Sequence, residues 1–169
     1  MLGVSLLFVG IVLINNGVCA IKGITGMSAA VMDILTGGIT LIIGILNIAM
    51  GNYYAAGTGL LFSFTYLFVA FMNLCNLNPL PFAYFSSFVA VNAVVFGVVE
   101  GVTGSTALGI TPDIRWGIIW WAWAVLWGSS FFTDILGIKA VAKFVPWLQI
   151  AEGVFTAWIP GVMLLLNVW

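Results

Sequence analysis

The chain has 169 residues, of which 63% are hydrophobic and only 5% charged, with a formal net charge of −1 and a mean hydropathy of +1.24. Such an apolar composition is typical of an integral membrane protein. Four basic residues are too few for a nucleic-acid interface, and a chain without histidine lacks the commonest metal ligand and the usual general base. We therefore expect neither a cofactor nor an enzyme active site.

The apolar runs predict six transmembrane helices, each close to the roughly 20 residues that a bilayer requires. The predicted spans are Leu2–Ile21, Ser28–Met50, Gly57–Leu77, Pro81–Gly101, Ile114–Leu136 and Phe144–Trp169. Because the connections are short, we expect a single all-α transmembrane domain over residues 1–169. Bulky stripes on the odd-numbered helices and polar residues on the even-numbered ones favour three helix hairpins around a pore within each protomer.

The basic residues predict the orientation in the membrane. With the amino terminus outside, Lys22, Lys139 and Lys143 fall in cytoplasmic connections and only Arg115 falls outside. Cytoplasmic loops of membrane proteins are enriched in lysine and arginine. We therefore expect both termini to lie outside.

Bulky apolar side chains recur at helical spacing in the first and third predicted helices. They are Leu2, Leu6, Val9 and Leu13 in the first helix, and Phe64 and Phe68 in the third. Such spacing marks one helix face, and packing against a neighbouring helix is the default interpretation.

Two acidic residues are predicted to serve helix starts. Asp113 follows Pro112 just before the fifth predicted helix, as a helix-capping residue does. Asp33 lies about one turn into the second predicted helix, where its side chain is placed to cap the helix or to interact with its dipole.

Four tryptophans of the fifth predicted helix, Trp116, Trp120, Trp123 and Trp127, recur at spacings of four, three and four. This spacing places them on one helix face, over roughly 16 Å of the axis. Tryptophans of membrane helices normally collect at the headgroups, because the indole N–H needs a polar partner. A column through the bilayer interior has two interpretations: helix packing, or a narrow aromatic slot for a flat, polar, uncharged solute.

Glu152 is predicted to lie inside the bilayer. If Pro146 marks the first turn of the last helix, Glu152 is roughly 9 Å deep in a half-bilayer of about 15 Å. A carboxylate at that depth is costly, so it should face either a pore or a structural partner on a neighbouring helix. Tryptophan N–H groups and the amide N–H groups of a solute are candidate donors to this carboxylate.

Pro160 affects the same part of the last helix. A proline in a helix interior removes the hydrogen bond to the carbonyl four residues earlier, here that of Thr156. Thr156 lies one turn beyond Glu152. Its carbonyl either lines a cavity beside Glu152 or belongs to a simple kink that the threonine hydroxyl satisfies.

Four segments resemble the bacterial urea channel and short-chain amide transporter family: MLGVSLLFVGIVLINNG, GLLFSFTYLF, IIWWAWAVLW and PWLQIAEGVFTAWIPG. The resemblance extends through most of the chain, in order. It implies a six-helix protomer with its own pore, assembled as a hexamer in the bacterial cytoplasmic membrane. It also implies passive permeation of urea or short-chain amides to a cytoplasmic urease or amidase, with membrane lipid and further copies of the chain as partners.

The resemblance also implies a pore lining. It consists of Leu2, Leu6, Val9, Leu13, Phe64, Phe68, Trp116, Trp120, Trp123 and Trp127, with Glu152 as the acidic pore residue. This chain departs from the family at Phe68, where a urea channel carries tyrosine, and in the outer loops, where acid-gated members carry histidines. Because this chain has no histidine, we expect no histidine-based acid gating.

A carrier is the alternative to a passive channel. In that alternative, Glu152 is an essential intramembrane carboxylate that couples the movement of a small solute to protons. Six helices and an aromatic column, instead of a wide apolar cavity, count against it. A third possibility is a subunit of an assembly that transports nothing itself.

Overall fold

A computed structural model describes residues 1–169 and contains six helices and one isolated β-bridge, between Ser105 and Ile110. The helices are α1 (Leu2–Lys22), α2 (Met27–Ala49), α3 (Tyr53–Cys75), α4 (Leu80–Thr103), α5 (Ile114–Ser130) and α6 (Lys139–Leu165). Turns of π-helix end α4 at Val99–Thr103, extend α5 over Phe131–Ile135 and interrupt α6 at Gly153–Trp158. The predicted all-α class with six helices is confirmed.

All helices except α5 are long and apolar enough to cross a membrane. The α-helical part of α5 has 17 residues, and its tryptophans carry polar indole N–H groups.

The last helix begins earlier than predicted. It starts at Lys139 and not at Phe144, so Pro146 lies inside the helix and does not mark its first turn. A proline inside a membrane helix is tolerated where neighbouring groups satisfy the backbone. The premise from which the depth of Glu152 was counted, that Pro146 marks the first turn of the helix, is therefore wrong.

Contacts divide the chain into two units. The first unit, Met1–Asn78 with Pro146–Trp169, contains α1, α2, α3 and the part of α6 from Pro146 onward. Within it α2 packs on α3, and α1 packs on α6. The second unit, Pro79–Val145, contains α4, α5 and the start of α6, and α4 packs on α5. The prediction of one domain over residues 1–169 stays a prediction.

Glycines bring α1 and α6 into close contact within the first unit. Gly3, Gly10 and Gly17 recur every seven residues along α1. A Cβ atom on Gly10 would lie 2.8 Å from the backbone nitrogen of Trp158, and one on Gly153 would lie 2.8 Å from the carbonyl oxygen of Gly10. The two backbones therefore approach as closely as only small residues allow.

We expect Gly10→Ala to lower the melting temperature of the purified protein, because the added methyl group overlaps the backbone of Trp158. Overpacking of this kind costs about 1–3 kcal/mol. Gly38→Ala in α2 is the matched control, since nothing lies within 4 Å of its Cβ position. An unchanged melting temperature for Gly10→Ala would contradict the close contact.

The α4–α5 contact of the second unit also uses glycines. A Cβ on Gly101 would lie 2.6 Å from the Cα of Gly117, and one on Gly97 would overlap the indole of Trp121. The Ser86 hydroxyl donates a hydrogen bond of 2.7 Å to the carbonyl oxygen of Trp127. These contacts fix the rotation of α5 about its axis relative to α4.

Asp113 caps α5, as the sequence predicts. Its carboxylate accepts a hydrogen bond from the backbone N–H of Arg115 at 3.0 Å and pairs with the Arg115 guanidinium at 2.6 Å. The hydrogen bonds from Arg115 hold the pKa of Asp113 below its ordinary value.

We expect Asp113→Ala to lower the melting temperature slightly at neutral pH and not at all in strong acid. Because the pKa of Asp113 is lower in the folded protein than in the unfolded chain, its carboxylate stabilises the fold at any pH above the unfolded-state pKa. This stabilisation is lost as the pH falls through the folded-state pKa. Melting curves of both proteins between neutral and acid pH measure the difference. A difference in melting temperature that persists below the pKa of Asp113 in the folded protein would contradict this role.

Candidate functional site

The tryptophan column of α5 lies in the interior. Trp120, Trp123 and Trp127 are buried, whereas Trp116 at the start of the helix is only partly buried. The ring centroids of Trp120 and Trp123 are 5.1 Å apart, those of Trp123 and Trp127 are 6.3 Å apart, and both pairs meet edge to face. The three rings form one continuous aromatic surface, which Phe96 of α4 extends at 5.2 Å from Trp120.

Such a column offers flat apolar surfaces and indole N–H donors along one line. Because the three rings are buried, a solute that contacts them is shielded from bulk water. The arrangement suits a small planar molecule with a hydrogen-bond acceptor better than a hydrated ion.

The predicted stripe of α1 is buried except at its beginning. Leu6, Val9 and Leu13 are buried, whereas Leu2 is 53% exposed. The Cβ atoms of Leu6 and Leu13 lie 3.0 Å from the Cβ positions of Gly161 and Gly153 on α6. Part of this face therefore packs on α6, as the default interpretation expects.

The aromatic pair of α3 is not buried as a core pair would be. Phe64 is 47% exposed and Phe68 is partly buried, while Phe62 and Tyr66 are the buried aromatic residues of this helix. The core interpretation is therefore wrong for Phe64. An exposed ring remains compatible with a solute-facing or lipid-facing position.

Glu152 lies deep in the first unit. It is the fourteenth residue of α6 from Lys139, about 20 Å along the helix, and its side chain is only 4% exposed. Neither carboxylate oxygen has a hydrogen-bond partner within the chain. The structural partner on a neighbouring helix is therefore not found, and neither are tryptophan N–H donors. A buried acid that is kept at this cost is a candidate for function.

The π-turn Gly153–Trp158 begins directly after Glu152 and ends before Pro160. Within it, the Thr156 hydroxyl donates a hydrogen bond of 2.6 Å to the main-chain carbonyl of Glu152. The interruption of the helix that was predicted from Pro160 is therefore a π-helical turn, which is wider than a turn of α-helix. Turns of this type occur frequently at functional sites.

The first unit contains a polar contact that was not predicted from the sequence. Asp33 is fully buried and does not cap α2: its Oδ1 accepts a hydrogen bond of 2.8 Å from Nδ2 of Asn16 on α1. Asn16 lies one turn beyond Leu13, whose Cβ is 3.0 Å from the Cβ position of Gly153, next to Glu152. The signal in the sequence was an acidic residue within an apolar helix, which indicates a buried partner.

Comparison with known proteins identifies relatives over the whole chain. Residues 1–168 match the family model described as AmiS/UreI family transporter. The acid-activated urea channel of Helicobacter pylori is 37% identical over 195 aligned positions, which cover 100% of each chain. The putative transporter protein AmiS2 of Rhodococcus erythropolis is 32% identical over 167 residues, covering 96% of this chain and 78% of the relative.

Solved structures agree with the sequence comparison. The cryo-EM structure of the Helicobacter pylori urea channel in its closed state has a TM-score of 0.90 to this chain at 40% identity, and each chain is covered to 100%. The crystal structure of the urea channel from the same bacterium has a TM-score of 0.88 at 40% identity, covering 100% of this chain and 99% of the other. With a family match over residues 1–168, this chain belongs to the AmiS/UreI family of transporters.

Proposed function

We propose that the protein is a passive membrane channel for urea or short-chain amides. The observation that carries this proposal is the full-length similarity, at 40% identity, to the structure of a urea channel. A relative from Mycolicibacterium smegmatis, 32% identical, is named a putative amidate substrates transporter protein, which supports the amide alternative. The buried tryptophans and the buried acid supply a chemistry that suits such solutes.

Selection by this channel rests on desolvation. An ion that enters a dry aromatic passage loses hydration worth many kcal/mol, and no charged ring replaces it. Urea is flat and neutral, with one carbonyl acceptor and four N–H donors. In the second unit, Trp120, Trp123 and Trp127 contact the plane of a urea molecule and donate to its oxygen. In the first unit, Glu152 accepts from the N–H groups of a solute. Each hydrogen bond contributes a net free energy of roughly 1 kcal/mol, so these bonds partly replace the hydration that the solute loses without binding it too tightly to leave.

The proposed lining keeps the residues named from the sequence. They are Leu2, Leu6, Val9, Leu13, Phe64, Phe68, Trp116, Trp120, Trp123, Trp127, Glu152 and Thr156. Burial supports this assignment most directly for the tryptophan column and Glu152. The part of the α1 stripe that packs on α6 contributes mainly by holding α6 in place.

Reconstitution into liposomes tests the proposal. We expect the protein to accelerate downhill urea or acetamide flux in stopped-flow light scattering, relative to empty liposomes, and a protonophore to leave this flux unchanged. Collapse of uptake with the protonophore would favour a proton-coupled carrier that uses Glu152. Absence of flux for both solutes would favour a non-transporting subunit and would overturn the proposal.

We expect the urea flux to vary little between about pH 5 and pH 8. The chain contains no histidine, and histidine is the side chain whose ordinary titration falls in this range. The Helicobacter pylori relative is named acid-activated, so it is a positive control in the same assay. Buried Glu152 is the alternative source of pH dependence, since burial favours the protonated form of a carboxyl group. A steep acid activation of this protein would therefore contradict the expectation.

We also propose that the channel is a homo-oligomer, a hexamer by family resemblance, in the bacterial cytoplasmic membrane. Three lysines support an orientation with both termini outside, because Lys22 ends α1 and Lys139 and Lys143 lie in the first turns of α6, and not in a connection as predicted. A cytoplasmic urease or amidase that consumes the solute would keep the gradient directed inward, so that the passive channel supplies this enzyme. Native mass spectrometry measures the number of subunits.

A further inference from the structure

The first unit contains two buried acidic residues beside the same stretch of α1. Asn16 of α1 donates to Asp33 of α2. The Cβ of Leu13 of α1 lies 3.0 Å from the Cβ position of Gly153, the neighbour of Glu152 on α6. We call Asn16, Asp33 and Glu152 the buried acidic cluster. Three carboxylate oxygens of this cluster have no hydrogen-bond donor within the chain: Oδ2 of Asp33 and both oxygens of Glu152. The two acidic side chains are more than nine-tenths buried. Buried acceptors without donors are rare in proteins, because each costs free energy.

No cation of the chain neutralises this cluster. The buried polar and charged residues include no lysine or arginine, and Lys22 at the end of α1 is exposed. Asn16 supplies one neutral donor to Asp33 and thereby leaves Oδ2 as the open acceptor. The cluster therefore has more acceptor atoms than donors, and it suits a ligand that is rich in N–H groups.

We propose that Asp33, oriented by Asn16, is a second acceptor for the N–H groups of the solute and sets a preference for urea over acetamide. This inference rests on the proposed function. Urea carries an amino group on each side of its carbonyl, whereas acetamide carries one amino group and a methyl group. Urea can therefore satisfy Asp33 and Glu152 together, whereas acetamide satisfies one of them at a time.

A channel selects between two solutes when only one of them donates hydrogen bonds to all of its buried acceptors. A site that hydrogen-bonds a polar group of one solute discriminates against an analogue that lacks this group, because the acceptor is then left unpaired. Contacts of α1 bring the two acidic side chains to the same stretch of this helix, since Asn16 donates to Asp33 and Leu13 lies against Gly153, the neighbour of Glu152. Asn16 is a positioning residue here, because it acts through the orientation of the Asp33 carboxylate.

The test compares urea and acetamide permeabilities of wild type and Asp33→Asn in proteoliposomes by stopped-flow light scattering. We expect urea permeability to fall about five-fold in the variant and acetamide permeability to change less, so that their ratio falls. The substituted amide has a single acceptor oxygen, which Asn16 occupies, and it presents a donor where Oδ2 stood. Ser63→Ala is the control: Ser63 is equally buried on α3, but its hydroxyl donates to the carbonyl of Gly37, outside the cluster.

Asn16→Ala provides a second variant, which keeps the acidic residue and removes only its orienting donor. We expect the ratio to fall in this variant too, and it decides the test if Asp33→Asn does not elute as a folded oligomer. A wild-type ratio in folded variants, or an equal loss for both solutes, would overturn the role of Asp33. Wild-type protein that conducts neither solute would instead overturn the proposed function, and this is seen before any variant is measured.

Discussion

Replacing Trp123 by alanine is expected to lower urea permeability about ten-fold or more in proteoliposomes. Trp123 lies between Trp120 and Trp127, with ring centroids 5.1 Å and 6.3 Å away. The substitution removes one face of the proposed slot and one indole N–H donor. Aromatic contacts contribute about 0.5–1.5 kcal/mol each and a hydrogen bond about 1 kcal/mol, which together exceed the 1.4 kcal/mol that corresponds to a factor of ten.

Trp147→Ala is the matched control, because Trp147 is a tryptophan of α6 that is 61% exposed. Loss of a buried tryptophan also destabilises a protein by about 3–5 kcal/mol, so the oligomer must be checked by gel filtration before flux is measured. Trp123→Phe keeps the ring and removes the N–H, and it should fall between wild type and Trp123→Ala. Wild-type flux in a folded Trp123→Ala oligomer would remove this residue from the proposed lining.

Much of the fold follows from local patterns. The lengths of the apolar runs fixed six helices because a bilayer imposes a minimum length on each. The tryptophan spacing placed Trp120, Trp123 and Trp127 on one face, since helix periodicity does not depend on the rest of the protein. Asp113 was recognisable as a cap for the same reason, because capping uses residues that are neighbours in the chain.

Contacts between distant residues were beyond these patterns. Asn16 and Asp33 are 17 residues apart and on different helices, so their hydrogen bond depends on how α1 packs on α2. The start of α6 was misplaced because Pro146 resembles a helix-start signal, whereas the helix continues through it. The seven-residue spacing of Gly3, Gly10 and Gly17 was present in the sequence and would have indicated the α1–α6 contact.

Replacing Glu152 by glutamine is expected to lower urea permeability about five- to ten-fold without loss of the oligomer. Glutamine has nearly the same shape, but it removes the carboxylate and one acceptor oxygen and adds an N–H donor toward the solute. An amide is also less costly to bury than a carboxylate that has no partner. The melting temperature should therefore not fall, which separates a loss of flux from a loss of folding.

Glu100→Gln is the matched control for this variant, because it makes the same chemical change in the π-turn that ends α4, where Glu100 is only partly buried. We expect its urea permeability to equal that of wild type. If Glu152→Gln conducts urea as well as wild type does, the buried acid is not a solute contact. The carrier would be favoured if a proton gradient drives uptake in wild type and does not drive it in Glu152→Gln. A coupling carboxylate has to exchange protons, and glutamine does not.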